Sequence, residues 1–159
     1  MVGNSLTGAD IDESSLELAK GDSAVDLSCS DDDQNGEICG QPSITLTRPS
    51  DVLIVAASSA WTQQFNDGEG PGSGTDAPNL AEGGCQIVVD GVAVPGLYTG
   101  SYELQADAAA QHSGKIGLTI TGVIDSVPAG SPQFALRCTE TDGDVAYLNN
   151  QISALVIGD

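Results

Sequence analysis

Apolar and polar residues alternate along the last third of the chain. The alternation is clear at Ile116, Leu118 and Ile120, and it returns over Gln151–Ile157. A period of two is typical of strands that turn one face toward a core. Three sets of turn residues interrupt this pattern: Thr121-Gly122, residues 128–132 and Asp142-Gly143. These segments therefore predict the closing strands of an antiparallel sandwich.

Earlier segments add further predicted strands. The uninterrupted apolar run Val52–Ala57 is typical of a central strand, and Ser43–Thr47 alternates. A hairpin is predicted where Cys85–Val89 and Val92–Val94 flank Asp90-Gly91. This dipeptide favours the positive φ angles of a tight hairpin turn.

The number of predicted strands indicates the fold class. Tyr98, Tyr102 and Leu104 indicate one more strand, whereas Asn66–Gly84 is rich in glycine and nearly without apolar residues, which predicts a long loop. The total reaches roughly eight to ten strands of similar spacing, as in sandwiches and jelly rolls. We expect an all-β protein, an antiparallel β-sandwich of jelly-roll type.

The N-terminal segment carries apolar residues at regular intervals. Leu6, Ile11 and Leu16 fit the inward positions of a pentapeptide repeat, but three units are too few to close a coil around them. They must then pack on the sandwich domain, on copies of themselves in an oligomer or on further repeat units, and we favour an oligomer interface. A short amphipathic helix over Asp12–Lys20 fits the residues equally well. We accordingly expect an N-terminal stub, a repeat or helical appendage, over residues 1–27 and a sandwich domain over residues 28–159.

The charge balance argues against two classes of partner. The 159 residues include 23 Asp and Glu but only 4 Lys and Arg, which gives a net charge of −19. Proteins that bind nucleic acid need positive charge to neutralise phosphates, and anionic membrane surfaces repel a chain this acidic. No stretch of the sequence is long and apolar enough to insert into a membrane. We expect no nucleic-acid partner and no membrane insertion.

The chain has four cysteines, Cys29, Cys39, Cys85 and Cys138, and no close CxxC pair. Zinc sites usually show such pairs, so two disulfides in an oxidising compartment fit better. Four cysteines allow three pairings. We favour Cys29–Cys39, because these residues bracket a tight loop, and Cys85–Cys138, because they link two predicted strands. We expect the second bridge to cross the sandwich.

An acidic loop lies between the first two cysteines. Asp31, Asp33 and Asn35 alternate ahead of Gly36, as in the first half of a calcium-binding loop, where side-chain oxygens precede a glycine at a sharp turn. Glu37 adds a further oxygen, while the closing glutamate of an EF-hand is absent. These residues predict a bound Ca²⁺ ion, with an acidic surface hairpin as the alternative.

No group of residues predicts catalysis. The single histidine, His112, stands in a polar segment without a nucleophile motif. The acidic residues lack the aromatic neighbours that stack on sugar substrates in glycosidases. Trp61 and Phe65 fit core or interface positions, and Trp61 is the candidate contact for a sugar ligand. We expect a non-enzymatic protein.

Two parts of the chain resemble known families. Residues 4–16, NSLTGADIDESSL, resemble a repeat of uncharacterised exported actinobacterial proteins, in which the repeat precedes a disulfide-bearing β domain. That domain is similar to this chain in its paired early cysteines, in the GxCxI pattern of Gly83–Ile87 and in a last strand like Gln151–Ile157. Residues 128–138 resemble C1q/TNF-like jelly-roll heads and phage fibre tips. Such heads commonly pack three-fold, so the resemblance implies a homotrimer and supplies no catalytic residues.

These observations together predict a function outside the cell. We expect a non-enzymatic extracellular β-sandwich module for display, assembly or adhesion on a cell surface, with a surface glycan or a protein receptor as the partner in adhesion. Two alternatives stay open. One is a structural subunit of a virion fibre, a virion decoration or a surface filament, located on the virion or cell surface. The other is a carbohydrate-binding lectin that uses Trp61.

Overall fold

The structure is a computed structural model, and it describes residues 21–30, 36–62, 80–105, 114–142 and 145–158. Within these ranges the chain forms nine strands and no helix. The strands are β1 (Gly21–Ser30), β2 (Glu37–Ile38), β3 (Ser50–Thr62), β4 (Leu80–Val89), β5 (Val92–Tyr98), β6 (Tyr102–Gln105), β7 (Gly114–Val127), β8 (Phe134–Asp142) and β9 (Ala146–Gly158).

The nine strands form two antiparallel sheets. Sheet A has the order β1-β9-β3-β7, and sheet B has the order β2-β8-β4-β5, with β6 also paired to β4. Since β5 pairs with the second half of β4 and β6 with the first half, these two short strands share one position in the sheet. The result is two sheets of four strand positions each, between which the chain passes back and forth. This is the jelly-roll arrangement. The expected fold class is therefore confirmed.

The core lies between the two sheets and is built from aliphatic side chains. Sheet A contributes the fully buried Val52 and Ile54, and sheet B contributes Ile87, Phe134 and Leu136. Each buried side chain of this size stabilises the fold by about 1.5–3 kcal/mol relative to exposure. The apolar residues that alternate in the sequence therefore fill the core, because every second side chain of a strand points to the same side of the sheet.

Two local predictions are confirmed in detail. The apolar run Val52–Ala57 lies in β3, which is central because it pairs with β7 on one side and β9 on the other. The hairpin of β4 and β5 turns at Asp90 and Gly91, with φ angles of 50° and 80°. Positive φ at both positions is the geometry of a type I′ turn.

The turn expected at Thr121-Gly122 is wrong, since β7 continues through both residues. Gly122 is needed there for a different reason. A Cβ atom at this position would collide with the Leu97 side chain, which comes from β5 in the opposite sheet. Gly122 therefore allows the two sheets to approach closely. The sequence does not distinguish a glycine that permits close packing from a glycine that permits a turn, which is why a turn was expected here.

Two further boundaries differ from expectation. Ser43–Thr47 forms no strand, although Ile44 and Leu46 are buried in alternation; it makes only isolated bridges, Ser43 to Gln133 and Leu46 to Gly130. The reason is topological, because this segment connects β2 in sheet B to β3 in sheet A. The long loop expected over Asn66–Gly84 ends earlier, since β4 begins at Leu80 and pairs with β6 and β8.

The first strand shows that the expected boundary between the N-terminal stub and the sandwich is wrong. β1 pairs with β9 from Gly21 opposite Leu155 to Ser30 opposite Ala146. The expected division between residues 27 and 28 therefore falls inside a strand, and residues 21–27 belong to the sandwich. The repeat residues Leu6, Ile11 and Leu16 and the alternative helix lie outside the described residues.

Both favoured disulfides are present, but their places in the fold are exchanged. Cys85 and Cys138 are register partners on β4 and β8, so this bridge lies within sheet B and does not cross the sandwich. Their Cα atoms are 4.0 Å apart. The Cys85 carbonyl accepts from the Thr99 amide at 2.8 Å, and the Cys85 amide donates to Thr99 Oγ1 at 2.9 Å. Cys85 is therefore a close, non-hydrogen-bonded partner of Cys138.

The bridge that joins the two sheets is the short-range one. Cys29 lies in β1 of sheet A, while the Cys39 amide donates a hydrogen bond of 2.8 Å to the Leu136 carbonyl of sheet B. Cys29 and Cys39 are both buried in the core. A loop that looks local in the sequence therefore ties the sandwich together.

Candidate binding surfaces

The outer side of sheet A presents three complete rows of residues without a charged side chain. Each row runs across all four strands, and register partners on adjacent strands share a face. We call these twelve residues the uncharged face. In the order β1, β9, β3, β7 the rows are Gly21, Leu155, Leu53 and Val123; Ser23, Ser153, Val55 and Thr121; Val25, Gln151, Ala57 and Thr119.

Several large apolar side chains on this face are open to solvent. Val25 is 61% exposed, Val123 is 44% and Val55 is 43% exposed. Ile157, the next outward residue of β9, is 51% exposed. Contiguous exposed apolar surface of this kind marks interaction sites more often than isolated apolar residues do. Because the chain has a net charge of −19, the absence of carboxylates from this face is more informative than its exposed apolar residues.

Trp61 lies at one end of the same outer side. It is half-buried near the end of β3 and pairs with Lys115 of β7 and Ala146 of β9. The candidate sugar contact of the sequence therefore lies on the same side as the uncharged face, with the row of Ser59 between them.

The outer side of sheet B is polar by comparison, and one row crosses four of its five strands. Its members, which we call the Arg137 row, are Ile38 of β2, Arg137 of β8, Gln86 of β4 and Tyr98 of β5. Tyr98 is 64% exposed and Ile38 is 41% exposed, while Arg137 and Gln86 are half-buried. The sheet thus brings together four side chains from four separate segments.

Arg137 is held in place by its neighbours. With the Gln86 amide oriented to satisfy its hydrogen bonds, its Oε1 accepts from Arg137 Nη2 at 2.6 Å and from Nε at 3.1 Å. A Cβ atom at Gly36, where φ is 82°, would lie 3.0 Å from Arg137 Cγ, so the glycine backbone lies against the arginine stem. The described part of the chain contains no ion pair for this guanidinium.

A second polar row lies further along β4. Glu82 pairs with Glu103 of β6 and Asp142 of β8. Gly84 stands between Glu82 and Gln86 on the same side of β4, because outward positions recur every second residue. The Thr139 hydroxyl donates to the Gly84 carbonyl at 3.4 Å.

One buried polar cluster lies inside the sandwich. Asn150 is fully buried; its Oδ1 accepts from the Ser58 hydroxyl at 2.6 Å, and its amide donates to the Tyr147 carbonyl at 3.0 Å. The same amide is 3.5 Å from the Cys29 sulfur. The cluster lies where the pairing of β3 with β9 shifts register, between Ala57 and Ser59. Since these groups satisfy one another, the cluster stabilises the bulge and offers nothing to a ligand.

The predicted site residues are only partly described. Asp31, Asp33, Asn35 and His112 lie outside the described residues. Glu37 is exposed at the start of β2, directly after the bend at Gly36. Across the described ranges, no three Asp, Glu, His or Cys side chains are grouped closely enough to hold a metal ion. No helix among the described residues has the length and hydropathy needed to cross a membrane.

Sequence reasoning missed the Arg137 row. One signal was available: Arg137 is one of only 4 basic residues, and it stands between Leu136 and Cys138 in an otherwise apolar run. The sequence around a polar residue on the solvent side of a strand does not show, however, which residues of the adjacent strands lie beside it. Only the register of β2, β8, β4 and β5 places Gln86 and Tyr98 beside it.

Comparisons with known proteins show distant likeness at the level of structure. No protein-family model and no curated protein matches the chain. A chain of the IBDV viral particle aligns with 87% of this chain at 12% identity and a TM-score of 0.44, and this chain spans 31% of its length. Eiger TNF from S. frugiperda aligns with 89% of this chain and 93% of its own, at 9% identity and a TM-score of 0.44.

A carbohydrate-binding module is a third similar structure. The C-terminal CBM6 of LamC, a marine laminarinase from Zobellia galactanivorans, aligns with 85% of this chain and 98% of its own, at 14% identity and a TM-score of 0.27. The assignment of this chain to the jelly-roll architecture follows from its own strand order.

Proposed function

We propose that this protein is a non-enzymatic β-sandwich module that assembles with copies of itself and is displayed outside the cell. The observation that carries the proposal is the uncharged face of sheet A. Its exposed side chains, among them Val25, Val55 and Val123, gain from burial, and none of its residues adds a charge that burial would penalise.

A second copy of this chain is the occupant that suits the face. Two protomers of net charge −19 repel each other, so they associate best where neither presents a carboxylate. The uncharged face meets that condition against itself. An acidic or basic partner would find no complementary charge there.

The size of the face limits how strong such contact can be. Strands about 4.8 Å apart and rows about 6.8 Å apart give the twelve residues an area of about 400 Å², or about 800 Å² for a pair. Stable interfaces bury about 1,200–2,000 Å² in total. A face packed against its own copy joins protomers two at a time. In this proposal the N-terminal segment with Leu6, Ile11 and Leu16 supplies the missing contact, and through this segment we expect a homotrimer.

The proposed location follows from the sulfur chemistry. Cys29–Cys39 and Cys85–Cys138 account for all four cysteines of the chain. Disulfides persist in oxidising environments, such as the cell exterior and the surfaces of cells and virions. Display or adhesion at such a surface is the role that suits a module that exposes a large polar face on sheet B while sheet A is engaged.

Light scattering on Val55→Asp tests the proposal. The matched control is Val92→Asp, which adds the same charge at a residue 71% exposed on the hairpin of sheet B. We expect wild type and Val92→Asp to form oligomers, more strongly as salt screens the repulsion over about 10 Å. Val55→Asp should remain monomeric at the same concentrations.

Two outcomes would contradict the proposal. One is a wild-type protein that stays monomeric at high concentration and high salt. The other is equal association by both variants, which would place the contact elsewhere. Deletion of residues 1–20 separates a further case: if the shortened chain associates more strongly, the N-terminal segment covers the uncharged face of its own protomer.

A further inference from the structure

We infer that the outer side of sheet B binds a neutral carbohydrate. The site is the stretch of β4 from Glu82 to Gln86, which we call the trough: Gly84 in its middle has no side chain, Glu82 stands at one end and the Arg137 row crosses the other. The inference is independent of the proposed self-assembly, which uses the opposite sheet.

Arg137 supplies the hydrogen-bond donors of the site. A guanidinium carries five N–H donors, and Gln86 accepts two of them through one oxygen. That contact and the backbone of Gly36 fix the orientation of the arginine. A donor group that is already ordered costs a ligand less conformational entropy on binding.

Glu82 supplies acceptors on the other side. It is half-buried and lies two outward positions before Gln86, so the two Cα atoms are about 13 Å apart along the strand. Gly84 has no side chain to fill the middle, and a Cβ there would meet only ordinary contacts, the nearest at 3.4 Å from Thr99 Oγ1.

Tyr98 supplies an apolar surface at the end of the row. Its ring is 64% exposed although it belongs to a strand with a buried neighbour, Leu97. An aromatic ring with one wet edge offers a flat apolar face and a hydroxyl to the same ligand. The C–H faces of pyranose rings are flat and apolar as well.

The combination of groups decides the chemical class of the ligand. A hydroxyl both donates and accepts, so a polyhydroxylated ligand can accept from Arg137 and donate to Glu82 at once. An anionic ligand is opposed by Glu82 and by the net charge of −19, and a cationic group placed beside the guanidinium is opposed by Arg137. A neutral sugar chain is therefore the ligand that satisfies both sides of the trough.

A glycan array tests the inference directly. The array carries neutral hexose and N-acetylhexosamine oligomers together with glycans that contain uronate or sialate. We expect wild type to be retained by neutral oligomers. Tyr98→Ala and Arg137→Met should each weaken that binding about tenfold or more, the effect of about 1.4 kcal/mol. Val92→Ala is the matched control on β5, because Val92 is 71% exposed and lies away from the trough.

The outcomes separate clearly. Retention by acidic glycans only, or by none, overturns the inference, and so does equal binding by wild type and Tyr98→Ala. Tyr98→Ala removes an exposed side chain, so its melting curve should match that of wild type even if Arg137→Met proves unstable. Light scattering of the same variants should be unchanged, which keeps this test apart from that of self-assembly.

Discussion

The two sheets of this sandwich differ most on the sides that face away from the core. Sheet A presents three rows without a charge, whereas sheet B presents Arg137, Gln86 and Glu82. A strand contributes one face to the core and leaves the other free to vary, so the inner faces of the two sheets are alike and the outer faces are not. We propose separate roles for the two outer sides: sheet A for contact between copies and sheet B for contact with a polar ligand.

The two disulfides sharpen the same comparison. The bridge with the short sequence separation, 10 residues, joins sheet A to sheet B, while the bridge with the separation of 53 lies inside sheet B. Distance along the chain is therefore a poor guide to which bridge holds the sheets together. It remains a guide to how much each bridge restricts the unfolded chain.

Removal of the disulfides should give the largest effects. Loop entropy assigns about 4 kcal/mol to Cys85–Cys138 and about 3 kcal/mol to Cys29–Cys39. We expect the double alanine variant of Cys85 and Cys138 to unfold at lower denaturant than that of Cys29 and Cys39. Urea unfolding of the two variants measures the difference. The reverse order would show that connection between the sheets matters more than loop length.

The contact between the sheets at Gly122 should give the next effect. In Gly122→Ala the new methyl group collides with Leu97 of sheet B, and such overpacking costs up to about 3 kcal/mol. Gly117→Ala on the same strand is the control, since nothing lies within 4 Å of its Cβ position. Thermal melts of the two variants test this, and Leu97→Ala should restore part of the loss. Equal melts would mean that the sheets are not in close contact at this point.

The buried cluster of sheet A should give a smaller effect. Ser58→Ala leaves Asn150 Oδ1 without its donor in the core, at a cost of about 1–2 kcal/mol. Ser59→Ala, one residue along and on the outer side, should cost little. Denaturant midpoints compare the pair. A Ser58→Ala variant as stable as Ser59→Ala would show that water replaces the hydroxyl.

The cation predicted before β2 should give the smallest effect. With a dissociation constant of about 10⁻⁴–10⁻³ M, typical of extracellular modules, 1 mM calcium stabilises by about 0.4–1.4 kcal/mol. We expect calcium to raise the melting temperature of wild type relative to chelator. Asp31→Ala should lose most of that increase. If calcium raises the two melts equally, it screens charge and occupies no site at Asp31, Asp33 and Asn35.

The local patterns of this sequence determined which segments become strands. Alternation predicted β7 and β9, the apolar run predicted β3 as central, and Asp90-Gly91 predicted the hairpin. These features are encoded within a few residues, because the side-chain period and the turn geometry are properties of the local backbone. The all-β class followed from them, and the two disulfides followed from the number and spacing of the cysteines.

Tertiary structure decided what the strands bring together. Ile38, Arg137, Gln86 and Tyr98 lie far apart in the sequence and meet only through strand register. The same holds for the exchanged places of the disulfides, for Gly122 against Leu97 and for the three rows of the uncharged face. Register and strand order are set by the packing of the whole core, in which a shift of one residue would turn every buried side chain outward. No short segment contains that information, so the candidate binding surfaces of this protein are products of its fold.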